Sequence, residues 1–302
     1  LTHEIAISPQ SREGLVWIPA QTALLGSDAH YPEEAPTREV IVDGFWMQRH
    51  QVTNAQFAGF VDATKYVTVA ERPLNPADYP GAPRENLQPG SMVFHRTAGP
   101  VDLRHLDQWW TWTPGACWNH PRGPKSSLRN REQHPVVHVA FDDAQAYAEW
   151  AGLALPTEVQ WETAARGGLR GAAYTWGDAP EPAGQRLANY WHGEFPYLPD
   201  TGYGTTQAVG SFPANGYGLH DMAGNAWEWT TDWWADDRAV ESCCAADSYD
   251  PNQPQFQIGR RVVKGGSFLC ADSYCLRYRP AARRPQMVDT GMSHIGFRCV
   301  LS

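Results

Sequence analysis

The chain carries 302 residues with a formal net charge of −9, 42% of them hydrophobic and 19% charged. That length supports one large domain or about two, with a sizeable core and no wholesale disorder. The acidic balance makes nucleic acid a poor partner, and no apolar run reaches the roughly 18–20 residues that cross a bilayer, so no membrane partner is expected.

The first residues, Leu1-Thr2-His3-Glu4, lack the basic and apolar regions of a signal peptide. Leu15–Pro19, Glu39–Val42 and Phe45–Gln48 read as strands. Thr53 with Gln56 three residues later forms a capping box, and Phe57, Phe60 and Val61 follow at helical spacing. Residues 68–135 are rich in turns and read as an insertion or lid, not as a separate domain. Asp142 with Gln145 opens a second helix, with Ala144, Tyr147, Ala148 and Ala151 facing inward and Gly152 as its stop. Thr157 with Gln160 opens a third, carrying Trp161, Ala164 and Ala165 and ending at Gly167-Gly168. After a second turn-rich stretch, 176–220, come the strand candidates Arg261–Lys264 and Ile295–Leu301. Helices this short depend on tertiary packing. The 14 Trp and 12 Tyr fall largely in the irregular stretches, where their side chains fill a core that regular elements alone would not. The expected fold is α+β, a single irregular domain over residues 1–302 with little regular secondary structure.

Six cysteines are too few for a disulfide scaffold. Cys117 is isolated; Cys243, Cys244, Cys270, Cys275 and Cys299 all lie beyond residue 240, and such clustering points to chemistry. Residues five apart on a straight strand face opposite sides, so Cys270 and Cys275 meet one ion only if the chain turns between them. Asp272-Ser273 supply turn residues. By spacing alone, a disulfide or two buried thiols is the plainer reading. Soft thiolates otherwise select copper(I), zinc or iron–sulfur clusters; zinc takes four ligands, and no partnering Cys-x-x-Cys is present. Arg277, Arg279, Arg283 and Arg284 add positive charge that favours thiolates. There is no phosphate-binding glycine loop, no Gly-x-Ser-x-Gly elbow and no His-Glu-x-x-His.

The residues around the pair are more specific. Gly265-Gly266-Ser267, Cys270, Tyr274-Cys275 and Arg277-Tyr278-Arg279 form one continuous block. With it stand Tyr31-Pro32-Glu33-Glu34-Ala35-Pro36, Val52-Thr53-Asn54, His134-Pro135-Val136, Leu155-Pro156-Thr157-Glu158, Asn215-Gly216-Tyr217-Gly218-Leu219, Gly224-Asn225-Ala226-Trp227-Glu228-Trp229 and Gly296-Phe297-Arg298-Cys299. From about Leu15 to Cys299 the chain resembles the formylglycine-generating enzymes, copper-dependent sulfatase-activating oxidases of bacterial type. Many of these blocks recur in relatives of other function; the two cysteines discriminate.

The resemblance implies an irregular fold related to C-type lectin-like domains. It implies that Cys270 and Cys275 hold copper(I) as a two-coordinate dithiolate. A substrate cysteine then joins as a third sulfur ligand, dioxygen binds, a hydrogen leaves the substrate Cβ, and a thioaldehyde hydrolyses to Cα-formylglycine. Ser267, Tyr274 and Trp227 match active-site positions, and His294 does so by location. The implied partner is an unfolded or partly folded sulfatase segment with the pattern Cys-x-Pro-x-Arg, and an acidic pocket would receive its arginine. The resemblance also implies structural calcium. One ion would take the carboxylates of Asp221 and Glu228 and the carbonyls of Gly224 and Ala226; a second would take Asn189, Tyr190, Asp200 and Tyr203, where the family pattern is interrupted. Secretory-pathway members carry extra disulfides. Here Ala148, Ala165 and Pro280 stand at the matching positions, so Cys299 is expected to be a buried thiol, and the chain a monomer of the bacterial cytoplasm. Cys243-Cys244 reads as a loop thiol pair. Two other readings remain: a non-catalytic binding module on the same scaffold, and a thiol–disulfide oxidoreductase.

Overall fold

The computed structural model describes residues 13–236 and 244–302. The first twelve residues and Cys243, with the Cys243-Cys244 pairing expected above, lie outside the described residues. In chain order the strands are β1 (Leu15–Ile18), β2 (Gln21–Leu25), β3 (Arg38–Val42), β4 (Phe45–Gln48), β5 (Gly90–Phe94), β6 (Trp110–Pro114), β7 (Gly193–Glu194), β8 (Leu198–Pro199), β9 (Trp227–Trp233), β10 (Arg260–Lys264), β11 (Arg283–Met287), β12 (Ile295–Gly296) and β13 (Val300–Leu301). The helices are α1 (Asn54–Thr64), α2 (Phe141–Trp150) and α3 (Glu158–Ala165). The fold is α+β with most of the chain irregular.

Helices α1 and α3 begin where local chemistry places them. Thr53 accepts from the Gln56 backbone N–H while the Gln56 side chain accepts from the Thr53 N–H, and Thr157 and Gln160 repeat the pattern. Helix α2 differs from expectation. Its N-cap is Ala140, two residues earlier than Asp142, and the carboxylate of Asp143 accepts from the Ala140 N–H at 2.9 Å. The same carboxylate accepts from the Val69 N–H and the Tyr66 hydroxyl. An acid required to hold the start of the insertion thereby moved the cap.

Four strands in the order β11-β10-β9-β12 form the central sheet, antiparallel except where β12 runs parallel to β9. Strand β9 is buried on both faces at Trp227, Glu228, Trp229 and Thr230, so it shows no alternation of apolar and polar residues. Strand β11 carries Pro285 at the sheet edge, where no ladder donor is needed. A second sheet has the order β1-β4-β13, and β2-β3, β5-β6 and β7-β8 are separate hairpins. The expected single strand Ile295–Leu301 is two. Residues 295–296 pair with β9 and 300–301 with β4, because buried Arg298 turns between the sheets to reach Glu228. The β5-β6 hairpin lies inside the 68–135 insertion.

The main core joins α1, α2 and the central sheet through Phe57, Tyr147, Trp229 and Phe297. The small residues of α3, Ala164 and Ala165, let it pack against β2, β3 and β10 in a second cluster. Charges enter this interior only in company. Lys264 lies 3.2 Å from Glu162 and 3.5 Å from Glu158, and Arg283 makes two bonds of 3.0 Å to Glu158. A third cluster, aromatic, gathers Trp109, Trp191, Phe195 and Phe268 beside the cysteine segment.

Candidate active site

The segment that follows β10 must leave the sheet sharply, and two glycines allow it. Gly266 has φ +73°, and a Cβ there would sit 2.8 Å from the Arg277 carbonyl oxygen and from the Tyr278 Cα. Only glycine lets the outgoing and returning strands of the cysteine segment lie this close. The chain then turns at 271–275, where Tyr274 and Cys275 both donate to the Ala271 carbonyl at 2.9 and 2.6 Å. Asp272-Ser273 occupy that turn, and the Sγ atoms of Cys270 and Cys275 come to 3.3 Å.

The returning half is locked by the Tyr31-to-Glu34 block. Tyr31 accepts from the Leu276 N–H at 3.0 Å and stacks under the Arg277 guanidinium, which also pairs with Glu33 at 2.6 Å. Arg279 makes a bidentate pair with Glu34, both fully buried. Two blocks 245 residues apart are thus one structural unit.

Burial and their mutual hydrogen bond divide the two thiols. Cys275 is pulled down to about 6, chiefly because the Cys270 thiol donates to it, with Arg277 and Arg284 adding positive charge. Burial, with that same proton held in the hydrogen bond, pushes Cys270 well up. The two sulfurs share one proton in their hydrogen bond, and Cys275 is the one disposed to ionise first.

The sulfurs open onto a cavity of 30 Å³, room for a water or two, walled by Phe94, Leu106, Trp109, Trp110, Phe195 and Tyr274. Ser267, Trp227 and His294 line it as well, so the structure brings all six expected catalytic residues together. Tyr274 stands at the mouth, 40% exposed, stacked on Phe195 at 5.0 Å. Ser267 is fully buried and its hydroxyl accepts from the Leu269 N–H at 3.2 Å, leaving its proton to donate. The Trp227 N–H donates to the His294 carbonyl at 2.8 Å, tying the two together. His294 has a buried Nδ1 with no partner, and burial followed by the charge of Arg284 holds the ring well below its ordinary pKa. It is therefore a neutral imidazole.

Trp109 and Trp110 were not singled out in the sequence, whereas Arg284, expected there to favour thiolates, lines the cavity and adds positive charge near Cys275. The Trp pair carries a signal, since two large apolar side chains in a turn-rich insertion must pack on something outside it.

The donor chemistry fits a soft ion. The sulfur separation of 3.3 Å lies within the roughly 4.6 Å that two metal–sulfur bonds of about 2.3 Å can span. Among the described residues no group of three or more His, Cys, Asp or Glu converges as a metal site, so the pair stands as a two-sulfur donor set. The implied calcium ligands are arranged otherwise. Both Glu228 oxygens bond to Arg298, at 2.7 and 2.8 Å, and one also accepts from Trp161. The Ala226 carbonyl accepts from Gln51, and Asp221 accepts from the Gly210 N–H. Gly224 bridges to Asn189, bringing the two implied sites side by side. The Asn189 amide bonds Thr205 and Asn225. Asp200 turns to Arg186 at 2.7 Å, Tyr203 lies beside that same guanidinium, and Tyr190 stacks on Tyr278 at 3.9 Å.

Fold and site together define an irregular α+β protein whose candidate reactive centre is a cysteine pair in an aromatic cleft. A family model described as the sulfatase-modifying factor enzyme 1-like domain matches residues 2–302, and the chain belongs to that family, the formylglycine-generating enzymes. It is 54% identical over 296 residues to the formylglycine-generating enzyme of Mycobacterium tuberculosis, covering 95% of this chain and 97% of that one. It is 41% identical to the mouse formylglycine-generating enzyme, over 96% of this chain and 76% of that one. A mouse relative described as inactive Cα-formylglycine-generating enzyme 2 is 36% identical, over 95% and 85%. The fold is shared with PvdO from Pseudomonas aeruginosa, at a TM-score of 0.60 and 21% identity, with 95% and 94% of the two chains covered. Among the described residues no helix is long and apolar enough to cross a membrane.

Proposed function

We propose that this chain oxidises the cysteine of a Cys-x-Pro-x-Arg segment in a sulfatase to Cα-formylglycine, with copper(I) held by Cys270 and Cys275 and dioxygen as oxidant. Membership of a family with active and inactive relatives does not choose between them. The observation that carries the reading is the pair itself, two sulfurs at 3.3 Å with Cys275 already disposed to ionise. When bound, copper(I) supplies a soft, low-coordinate centre at which a substrate thiolate and dioxygen meet.

The chain's own residues do the rest. Cys270 gives up the proton it shares with Cys275 so that both sulfurs act as donors. Phe94, Trp109, Trp110 and Phe195 wall an apolar slot beside the sulfurs, into which the substrate cysteine would enter from the mouth. Neutral His294 and the Ser267 hydroxyl orient groups at the cavity floor, and Tyr274 meets the incoming peptide at the mouth. Of the oxygen ligands implied for calcium, Glu228 and Asp200 pair with arginines and Asp221 and the Ala226 carbonyl accept from nitrogen donors; the reaction is assigned no step through that ion. The same reading places the chain in a reducing compartment such as the bacterial cytoplasm, where the pair stays reduced.

A thiol–disulfide oxidoreductase is the second reading, favoured by the same approach of the sulfurs, although 3.3 Å is well beyond a disulfide bond. One experiment separates the two. Copper(I)-loaded protein is incubated in air with a Cys-x-Pro-x-Arg peptide and the peptide mass is followed. Conversion of the CH2SH side chain to an aldehyde, absent with Cys275→Ser, supports the oxidase. A peptide recovered as a disulfide, with no aldehyde, supports the second reading and sinks the first.

A further inference from the structure

A larger cavity of 230 Å³ adjoins the cysteine cavity and shares the wall formed by Phe94. Its other boundary residues connect to the site along the chain: Phe268 lies two residues before Cys270, and Ser293 precedes His294. Its polar character is one-sided. Arg122 and Arg131 both line it, no Asp or Glu does, and among the described residues neither guanidinium has a carboxylate partner.

Two like charges face one cavity without a carboxylate among the lining residues. Burial first, and then the neighbouring Arg122, pull the Arg131 guanidinium below its ordinary pKa. The only hydrogen bond of its side chain among the described residues runs to the Thr205 hydroxyl at 3.3 Å, where Thr205 accepts. The Thr205 proton is therefore left to donate into the cavity. Ser293 likewise accepts, from the Phe94 N–H at 3.1 Å, and keeps its own proton. The wall thus presents two cations and no anionic side chain, with the hydroxyl protons of Thr205 and Ser293 available beside them, a set that suits a ligand with negative charge. The backbone at Arg131 is itself fixed, since its carbonyl accepts from Asn54 at 2.8 Å.

We propose that this cavity is an oxyanion subsite that takes an acidic side chain of the same polypeptide whose cysteine enters the neighbouring slot. It rests on the reading that a polypeptide cysteine is the substrate. It adds a preference for Asp or Glu close to that cysteine, separate from the recognition of the motif arginine. A peptide lying across Phe94 reaches both cavities at once, whereas a free inorganic anion reaches only the larger.

The test uses a set of peptides built on Cys-x-Pro-x-Arg with the cysteine replaced by serine. A single Glu is moved through the flanking positions, and each peptide has a Gln twin. Affinity for the whole protein is read by fluorescence anisotropy. The expected result is that at one or two positions the Glu peptide binds about tenfold more tightly than its twin. That preference disappears in Arg122→Gln, an exposed position whose change spares the core, and in Arg131→Gln. Inorganic sulfate at millimolar concentration should reduce the preference without displacing the Gln twin. The inference is overturned if no position distinguishes Glu from Gln, if the preference survives in Arg122→Gln, or if sulfate displaces both twins equally. The two readings fail separately. Cysteine-containing peptides that show the Glu preference yet yield no aldehyde would remove the oxidase reading and leave the subsite standing.

Discussion

The bidentate pair of Arg279 with Glu34 is the strongest link between the N-terminal block and the cysteine segment, and removing its cation has a calculable cost. In Arg279→Met the Glu34 carboxylate stays in a fully buried position without its guanidinium. Breaking a buried pair from one side costs about 3–5 kcal/mol. A buried carboxylate that has lost its guanidinium can also retreat by taking up a proton. That escape costs about 1.4 kcal/mol for each pH unit above the ordinary glutamate value near 4.3, so the charge penalty is capped at about 4 kcal/mol at pH 7 and about 1 kcal/mol at pH 5. The sign follows from linkage: stranding raises the folded-state pKa of the carboxylate, so the variant loses stability as pH rises and recovers it as pH falls. Urea unfolding of wild type and Arg279→Met at pH 7 and pH 5 measures the difference at each, and Glu34→Leu/Arg279→Met completes the cycle. The deficit should shrink by roughly 3 kcal/mol between pH 7 and pH 5, and the double variant should recover most of it. A deficit that is the same at both pH values, or a double variant no better than the single, would refute the reasoning.

The other expectations concern the cysteines, their turn and the insertion. In metal-free protein, alkylation of Cys275 should titrate below the ordinary thiol range, and Cys270→Ala should move the midpoint up because the donated proton that lowers it is gone; an unchanged midpoint would assign the shift to the arginines alone. Gly266→Ala forces a Cβ to within 2.8 Å of backbone at a φ of +73°. It should cost at least about 1–3 kcal/mol by denaturant titration and disturb peptide binding, since no flexible side chain can yield there. Asp143 is raised to about 6, mainly by burial. Its contribution is complete below about 4, the ordinary Asp value, and is lost as pH rises through about 6. Asp143→Asn should therefore flatten the stability profile between pH 4 and pH 7, which thermal melts across that range would show or deny.

The parts that could be read from the chain were those set by neighbours a few residues away. The capping boxes at Thr53 and Thr157 close over three residues, and the structure places both helices there. The cysteine turn needed only five residues, a turn-forming pair and two preceding glycines. What depended on distant partners was hidden. Strand β9 is buried on both faces, so the period of two that marks a strand is absent from Trp227–Trp233. Helix α2 starts early because Asp143 answers to Val69 across 74 residues. Glu228 meets Arg298 across 70 residues, a contact made by packing and not by spacing. Arg122 and Arg131 look like ordinary surface cations in a row of residues, and only folding shows that they face one cavity without an acid between them. Local chemistry determines where short elements begin and which residues can react. Which charges meet, and which are left to wait for a ligand, is settled only when distant segments exclude water together, because only in that drier interior does pairing dominate hydration.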